Sequence, residues 1–322
     1  MAHETAVSAD ILRTHCGPAA AKSSLLSGPH WDIDELRSSL EADWRRTLDR
    51  YSLSPLTETM TYALSGGQRL RGLLLMVVAD SCNGSKEPAR EAAVAIEMLH
   101  AASLVVDDLP ALDNTPVRRG MLSLYKRFGE AAAILTAHAL VAAAFEVVAQ
   151  ISIEPKRLLR ITKSLAAAIG ARGMARAELV DCSDSVGSEG DIRALKTGGL
   201  FQIAAHIGAV LAGAEPDLAN DLGTLGRKLG VCYQFADDVR DHLADGSNRE
   251  TLKEAGRVSW QQSVKLFNLV RNRLPKVYPL EAWLSCFHHA GAEIFDAAEF
   301  RSRYEPPPAF ADTKTLDKDG QP

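Results

Sequence analysis

Residues 97–120 read EMLHAASLVVDDLPALDNTPVRRG, and this stretch decides the fold class. Apolar residues recur at three- and four-residue spacing up to Val106, which predicts a helix that ends at two adjacent aspartates, Asp107 and Asp108. Carboxylates are unfavourable at the C-terminal end of a helix, where the helix dipole is negative. The alternative is a solvated acidic helix end followed by a charged loop, and this placement disfavours it.

The same helical spacing covers most of the chain, and alternating strand-like runs are nearly absent. The helical segments are 35–50, 56–80, 89–107, 130–150, 157–181, 192–213, 217–241, 260–273 and 280–300. Most prolines and glycines fall between them, and no long linker divides the chain. We therefore predict an all-α, single-domain helical bundle around a central cavity. The domain is expected at 31–303, with a loose segment at 1–30 and a flexible tail at 304–322.

The composition is typical of a soluble globular protein and disfavours some classes of function. The 322-residue chain is 46% hydrophobic and 24% charged, with a net charge of -5. Nucleic-acid binders normally carry a basic excess, so no nucleic-acid partner is expected. Five cysteines without a CxxC pair argue against a disulfide framework or a zinc site, and they favour a reducing, cytoplasmic location.

One apolar stretch, at 131–148, is long enough to resemble a membrane span. It is mostly alanine and is interrupted by His138 and Glu146. We predict a helix buried inside the bundle and no membrane span. The N-terminus has neither a basic region nor a continuous apolar run, so no secretory signal is expected.

Asp113 and the pair Arg118–Arg119 extend the first acidic motif. Clustered carboxylates can hold Mg2+, which prefers oxygen ligands and is often completed by substrate phosphates. Guanidinium groups supply fixed donors for a diphosphate. The motif therefore predicts a site for magnesium and a diphosphate.

A second acidic motif, YQFADDVRD, occupies 233–241. Asp237 and Asp241 are four residues apart and share one helix face, where like charges repel. A bound cation would relieve that repulsion, although an ordinary solvated face explains this motif equally well when it is taken alone. Two such motifs in one helical chain favour a diphosphate clamped through several Mg2+ ions.

Two shorter motifs carry positive charge. GGQRLR at 66–71 places Arg69 and Arg71 beside a glycine pair at a helix start, where backbone amides and guanidinium groups can bind an anion. KTGGL at 196–200 places Lys196 and Thr197 in an otherwise apolar helix. Each has a plain alternative: a basic turn in the first case, and a lysine that reaches to solvent in the second.

Together these stretches resemble the trans-isoprenyl diphosphate synthases, also called polyprenyl synthetases, from about residue 35 to residue 245. The segments that carry the resemblance are GGQRLR at 66–71, DDLPALD at 107–113, RR at 118–119, FGEA at 128–131, GMARAELVD at 173–181, KTG at 196–198 and YQFADDVRD at 233–241. The resemblance implies an isoprenoid-synthase type of helical bundle, a homodimer and Mg2+ as cofactor. It also implies head-to-tail condensation of isopentenyl diphosphate with dimethylallyl, geranyl or farnesyl diphosphate, giving geranylgeranyl or farnesyl diphosphate.

The resemblance further implies roles for individual residues. The metal ligands would be Asp107, Asp108, Asp113, Asp237, Asp238 and Asp241. The substrate-binding residues would be Gly67, Gln68, Arg69, Arg71, His100, Arg118, Arg119, Lys196, Thr197, Gln234 and Arg257. Among these, Lys196, Thr197 and Gln234 would act at the reacting centre.

Product length is expected to depend on Ala102 and Ser103, the fifth and fourth residues before Asp107. A bulky aromatic at the fifth position tends to stop growth at C15 in the family. Both residues are small here, so a C20 product is expected. The alternative is that they only let two helices pack closely, while Met98 or Leu99 limits the chain.

The sequence departs from the family pattern at several positions. Gln68 replaces a lysine, Ala137-His138 replaces Gly-Asp, and Glu178 replaces a glutamine. TLKEAGRVS at 251–259 stands where the family has GKDxxxGKxT, with Arg257 and Ser259 in place of lysine and threonine. These changes leave the activity expected and the rate open.

Two other classes of protein share part of this pattern. A class I terpene cyclase also has an all-helical fold and a first acidic motif, but it usually carries an Asn/Ser/Glu metal motif and needs no isopentenyl site. A non-catalytic subunit that modulates a related synthase would be expected to lose metal aspartates, whereas all six are present. The second acidic motif and Arg69 and Arg71 favour chain elongation.

Overall fold

The structure, a computed structural model, describes residues 32–182, 189–241 and 249–290. Within these ranges the side chains of 189–197, 239–241, 249–250, 285–286 and 288–290 also lie outside the described part. The α-helices are α1 (Ile33–Asp49), α2 (Thr57–Leu64), α3 (Leu70–Ser81), α4 (Lys86–Asp107), α5 (Leu124–Phe128), α6 (Glu130–Gln150), α7 (Pro155–Ile169), α8 (Met174–Asp181), α9 (Glu189–Leu211), α10 (Pro216–Asp241), α11 (Arg249–Val270) and α12 (Tyr278–Ala290). A short 3-10 helix, Arg271–Arg273, joins the last two.

The all-α prediction is confirmed, and two predicted helices prove to be broken at glycines. The segment 56–80 divides into α2 and α3 at a turn in which Gly66, Gly67 and Arg69 have φ values of 73°, 93° and 57°. The segment 157–181 divides into α7 and α8 before Gly173, where an added Cβ would lie 1.9 Å from the Ala168 carbonyl oxygen. Left-handed backbone and close backbone approach both override helical periodicity at such positions.

Three further differences concern the start of one helix and two short elements that the sequence did not predict. α11 begins at Arg249, earlier than the predicted 260. The short helix α5 was not predicted. Nor was a two-stranded hairpin, β1 (Val117–Arg118) paired antiparallel with β2 (Met121–Leu122), which is the one sheet in the described ranges.

Small residues let the central helices pack closely enough to bring the motifs together. α3 is almost wholly buried against α4 and α9, and α9 packs along α10. An added Cβ at Gly230 of α10 would lie 2.8 Å from the Cα of Gly198 in α9. This contact places the KTG segment of α9 beside α10, about one turn before the second acidic motif.

The apolar helix α6 is buried on one face only. Ala133, Thr136 and Leu140 pack into the core, whereas Ile134 is 45% exposed and Leu135 is 54% exposed. By length and composition this helix could cross a membrane, and 44% of its most apolar window is buried. The buried-helix prediction therefore holds for half of the helix, and the predicted absence of a membrane span stays a prediction.

Candidate active site

The first acidic motif folds back on itself immediately after α4. The backbone N–H of Asp113 donates to the carbonyl oxygen of Asp107 at 2.9 Å, and that of Asn114 donates to Leu109 at 3.0 Å. These bonds return the chain to the helix end, so that Asp113 lies beside the Asp107–Asp108 pair. The five-residue spacing in sequence thus becomes a tight backbone turn that returns Asp113 to the helix end.

Asp108 is the buried aspartate of this motif, with 4% of its surface exposed. Arg118 donates to its Oδ1 from Nε at 2.9 Å and from Nη2 at 2.6 Å. Burial raises the pKa of the Asp108 carboxyl above its usual value, and Arg118 partly opposes that shift. These two residues belong to one motif in the sequence, and in the structure they form a direct ion pair.

The β1–β2 hairpin sends its two arginines in different directions. Arg119 and Gly120 form its turn, with φ values of 54° and 73°, as a type I′ turn requires. The Arg119 guanidinium crosses the glycine turn before α3, with Nη1 3.3 Å from the carbonyl oxygens of Ser65 and Gly66. An added Cβ at Gly67 would lie 2.8 Å from Arg119 Cζ, so only glycine leaves room for this arginine. The one sequence signal for this hairpin was Gly120 after the arginine pair.

Arg71 and His100 form the inner part of the same cationic cluster. Arg71 Nη1 lies 3.0 Å from His100 Nε2, and its guanidinium lies 4.7 Å from the Phe201 ring centroid. Burial is the main cause that lowers the pKa of His100 well below 6.5. The neighbouring cations, above all Arg71 and Arg119, lower it further. The neutral ring accepts from Arg71 at Nε2, because arginine can only donate. Its Nδ1 therefore carries the proton and is the donor that an anion could use.

Arg69 lies deeper than the other arginines and is 2% exposed. Its Nε lies 2.6 Å from Glu41 Oε1, its Nη1 lies 3.6 Å from Glu97 Oε2, and its Nη2 donates to the Leu64 carbonyl oxygen. All three nitrogens thus have partners within the protein. A direct contact of Arg69 with substrate stays a prediction.

The second acidic motif lies on α10 and faces the start of α3. The Gln68 Oε1 lies 3.4 Å from the Tyr233 hydroxyl, which joins the glycine turn to α10. Burial lowers the pKa of Arg71, and the carboxylates of Glu97 and Asp237 partly oppose this shift. The Gln234 Nε2 donates to Asp238 Oδ1 at 2.7 Å, which fixes the orientation of the amide.

Some predicted site residues cannot be placed against this group. The side chains of Lys196, Thr197 and Asp241 lie outside the described residues, although their backbones belong to α9 and α10. Arg257 lies on α11 with Nη2 2.5 Å from Glu254 Oε2, and its contact with substrate stays a prediction.

The two predicted chain-length residues differ in burial. His100, Ser103, Leu104 and Asp107 are partly exposed at the spacing of one helix face, and Val106 beside them is partly exposed as well. Ser103 therefore shares a face with Asp107. Ala102 is 3% exposed and lies on the opposite side of the helix.

The carboxylates fit Mg2+ by their chemistry. Among the residues described, no three His, Cys, Asp or Glu side chains converge into a ready-made metal cluster. Mg2+ does not require one, because it keeps several waters and is usually bound by one or two carboxylates together with substrate phosphates. Oxygen ligands in two groups, on α4 and α10, suit that mode of binding.

A separate surface groove of about 730 Å³ lies between α10 and α11. Lys228, Phe235 and Val258 are among its lining residues, and none of the predicted site residues lines it.

The profile of a family described as polyprenyl synthetase matches residues 54–257. Geranylgeranyl pyrophosphate synthase 4 of Arabidopsis thaliana is 35% identical over 209 residues, which cover 62% of this chain and 56% of that protein. A dimethylallyltranstransferase of Fischerella ambigua (strain UTEX 1903) is 37% identical over 221 residues, covering 66% and 64%. The chain thus spans less than two thirds of the length of these curated relatives.

The fold also matches solved structures. The apo crystal structure of an FPP/GFPP synthase from Zymomonas mobilis superposes with a TM-score of 0.69 and 26% identity, over 81% of this chain and 98% of that one. The sequence profile and the fold therefore agree.

Proposed function

The chain belongs to the polyprenyl synthetase family, and from this we propose that it is a Mg2+-dependent prenyltransferase. Its substrates would be isopentenyl diphosphate and an allylic diphosphate, and its main product geranylgeranyl diphosphate. The observation that carries the proposal is that one cluster of cations pairs with the first acidic motif and lies near the second. Arg118 binds Asp108, and Arg71 lies close enough to Asp237 for the carboxylate to affect its pKa.

The cluster divides into two halves, which suits a reaction between two diphosphates. Arg71, His100 and Arg119 surround the glycine turn before α3 and would bind isopentenyl diphosphate. Arg118 and the aspartates would bind the allylic diphosphate, with Lys196 on the neighbouring α9. Because each half has its own cations, both substrates can be held at once.

The six aspartates Asp107, Asp108, Asp113, Asp237, Asp238 and Asp241 would hold Mg2+ around the allylic diphosphate. When bound, Mg2+ neutralises the charge that develops on the leaving diphosphate.

The described side chains can support the remaining steps themselves. Arg118 would bind the diphosphate oxygens, where negative charge grows as the allylic C–O bond breaks. The Gln234 amide, held by Asp238, and the Thr197 carbonyl would face the allylic cation with their partial negative charge. Arg71 and His100 would hold isopentenyl diphosphate while its double bond attacks that cation. The new cation would then lose a proton to the released diphosphate. Closely packed apolar helices exclude water, which would otherwise quench the cation.

Assembly as a homodimer is part of the proposal. The exposed face of α6 carries Ile134 and Leu135, with half-buried Val141 and Phe145 on the same side. A contiguous apolar face of this kind is typical of an interface. A second copy of the chain packed on α6 would cover it. Leu135→Glu should therefore convert the dimer to a monomer in sedimentation experiments. The matched control is Leu269→Glu, because Leu269 is an exposed leucine on a different helix, α11.

The proposal also places the enzyme in the cytoplasm. The described cysteines, Cys82, Cys182 and Cys232, are all free thiols, which fits a reducing compartment. Fractionation of the host cell with an antibody against the chain would test this location. Recovery with membranes after a salt wash would contradict it.

Incubation of the purified chain with labelled isopentenyl diphosphate, each allylic primer and Mg2+ tests the activity. We expect elongation to a C20 product, and none when the metal is chelated. Lack of elongation with every primer would overturn the proposal. Cyclic hydrocarbon formed without isopentenyl diphosphate would instead identify a class I cyclase, and activity that requires a related synthase would identify a modulating subunit.

A further inference from the structure

Glu97 is a buried carboxylate that the proposed chemistry does not use. It lies on α4, ten residues before Asp107, and is 2% exposed. Its Oε1 accepts from the backbone N–H of Gly72 at 2.8 Å, and its Oε2 lies 3.6 Å from Arg69 Nη1. Both oxygens are therefore directed at the start of α3.

The contact with Gly72 supplies a hydrogen-bond acceptor that the N-terminus of α3 lacks. The first N–H groups of a helix have no partner within the helix, and the residue before α3, Arg69, provides no side-chain acceptor. Glu97 provides one from the neighbouring helix, and its negative charge is favourable at the positive end of the helix dipole. Glycine at position 72 leaves room for this approach, because an added Cβ would lie 2.7 Å from Leu40 Cδ2 and 3.3 Å from Glu97 Oε1.

A second contact joins the same two helix turns. Arg71 immediately precedes Gly72, and His100 follows Glu97 by three residues, with 3.0 Å between Arg71 Nη1 and His100 Nε2. One turn of α4 thus holds one turn of α3 at two points. The first point is a backbone contact, and the second consists of two side chains expected to bind isopentenyl diphosphate.

Arg69 extends this support to two other helices. Its left-handed backbone turns the guanidinium inward, where Nε lies 2.6 Å from Glu41 on α1 and Nη2 donates to Leu64 at the end of α2. The glycine turn that Arg119 crosses lies between Leu64 and Arg69. Arg69 and Glu97 therefore fix both the turn and the helix that follows it.

We infer that Glu97 is a positioning residue for the isopentenyl diphosphate half of the site, and that Arg69 acts with it as support and not as a ligand. Glu97 holds the first turn of α3 so that the Arg71 guanidinium meets His100 and the incoming diphosphate. This inference rests on the proposed function.

The test compares Michaelis constants for the two substrates in Glu97→Gln. The amide keeps an acceptor for the Gly72 N–H but loses the charge that pairs with Arg69. We expect the Michaelis constant for isopentenyl diphosphate to rise about tenfold, because the buried Arg69 loses one of its two counter-charges and the turn that it supports shifts. The Michaelis constant for the allylic substrate should change by less than about twofold. Glu87→Gln is the matched control, because Glu87 is an exposed acid on the same helix that pairs with Arg90.

A double variant separates support from direct binding by Arg69. If Arg69 and Glu97 act as one unit, Arg69→Met combined with Glu97→Gln should be no worse than the more severe single variant. Arg71→Met combined with Glu97→Gln should be little worse than Arg71→Met alone, because Glu97 acts through Arg71. Multiplied effects of the Arg69 and Glu97 changes would show that Arg69 binds substrate independently, and would overturn that part of the inference.

Calorimetric binding of inorganic diphosphate to the wild type distinguishes this inference from the proposed function. A wild type that neither binds diphosphate nor elongates a primer contradicts the proposed function. A wild type that does both, with Glu97→Gln unchanged for isopentenyl diphosphate, overturns the positioning role. Equal rises in both Michaelis constants would also overturn it, because they would indicate a general structural defect.

Discussion

Arg118 donates from both Nε and Nη2 to a single oxygen of Asp108, Oδ1, at 2.9 and 2.6 Å. The other carboxylate oxygen, Oδ2, is thus the one that remains for a cation, as far as the described residues show. Removing a buried carboxylate from water is unfavourable, and Arg118 offsets part of that penalty in the protein without substrate. A diphosphate would compete with Asp108 for Arg118, while a cation would compete with Arg118 for Asp108. Before substrate binds, Arg118 and Asp108 therefore neutralise each other. A diphosphate and a cation that bind together would replace this ion pair.

Arg118→Met should weaken both stability and allylic binding. Asp108 would be left buried without its counter-charge, and we expect a loss of about 1–2 kcal/mol in the free energy of unfolding, less than for a fully buried pair because Arg118 is partly exposed. Chemical denaturation measures this loss, and the Michaelis constant for the allylic substrate should rise in parallel. Arg273→Met is the control, since Arg273 and Asp221 form an exposed pair. Equal destabilisation in the two variants would contradict a special role for the Arg118–Asp108 pair.

Asp107→Ala and Asp237→Ala should each abolish most of the turnover. Under the proposed function, each would remove an oxygen ligand that helps to stabilise charge on the leaving diphosphate, and we expect losses of about a thousandfold or more. Steady-state turnover at saturating Mg2+ measures the effect, and circular dichroism checks that the helices survive. Asp221→Ala, at an exposed position on α10, should retain full turnover. Near-wild-type turnover in either active-site variant would refute the two-cluster arrangement.

The sequence predicted the fold because helices depend on local patterns, and the roles of the site residues stay predictions. Helical periodicity located α4, α6 and α10 within a few residues, and the acidic motifs marked the helix ends and faces on which Asp107 and Asp237 lie. Carboxylates at positions that are unfavourable in a helix without a bound cation can be recognised from the sequence alone.

Contacts between distant segments could not be predicted in this way. Periodicity continued through Gly66 and Gly67, whose positive φ values break the helix, and it gave no sign that Arg119 would cross that turn. Arg69 and Arg71 look equivalent in the sequence, yet one is held by Glu41 and Glu97 and the other by His100. Which arginine is support and which can bind a ligand depends on residues about 30 positions away.

His100 predicts an acid-side loss of stability. Its pKa in the folded protein is well below 6.5, whereas in the unfolded chain it should be near 6.5, so the unfolded state binds more protons between these values. The stabilising contribution is complete above about pH 6.5 and is lost as the pH falls toward the folded pKa, by up to about 1.4 kcal/mol per pH unit.

His100→Gln should therefore flatten the fall in the free energy of unfolding between about pH 7 and pH 5. Denaturant titrations across this range measure the slope. Unfolding of both proteins between about pH 7.5 and pH 8.5, where the His100 ring is neutral in the folded and unfolded states, is the control and should give parallel slopes. Parallel slopes for wild type and His100→Gln in the acid range would show that another group controls the acid-side loss.

Gln68→Lys should strengthen binding of isopentenyl diphosphate. An added cation beside the glycine turn can contribute a charge-assisted hydrogen bond of about 1.5–3 kcal/mol, so the Michaelis constant should fall roughly tenfold or more. The substitution also removes the 3.4 Å contact with the Tyr233 hydroxyl, which is too long to be strong. Tyr233→Phe isolates that loss and should change the constant little. An unchanged or higher constant in Gln68→Lys would show that the existing arginines already fill the role.

Product length provides the last prediction, and it depends on which residue of α4 meets the growing chain. Ser103 and Ala102 lie about 6 and 7.5 Å from Asp107 along the helix, but Ser103 is turned only about 40° from Asp107 and Ala102 about 140°. Ser103 is partly exposed, whereas Ala102 is buried among core residues. We expect a C20 product from the wild type, because neither side chain is large.

Ala102→Tyr and Ser103→Tyr should both shorten the main product toward C15, for different reasons. A tyrosine at 103 would enter the open face directly. At 102 it would have to displace packed neighbours, at a penalty of about 1–3 kcal/mol, and would act by pushing the helix wall inward. Chromatography of the dephosphorylated products, with thermal unfolding measured in parallel, separates the two effects. Ala102→Val is the control for packing alone. A wild type that stops at C15 would contradict the expected product, and two variants that still make C20 would assign the limit to a deeper residue such as Met98 or Leu99.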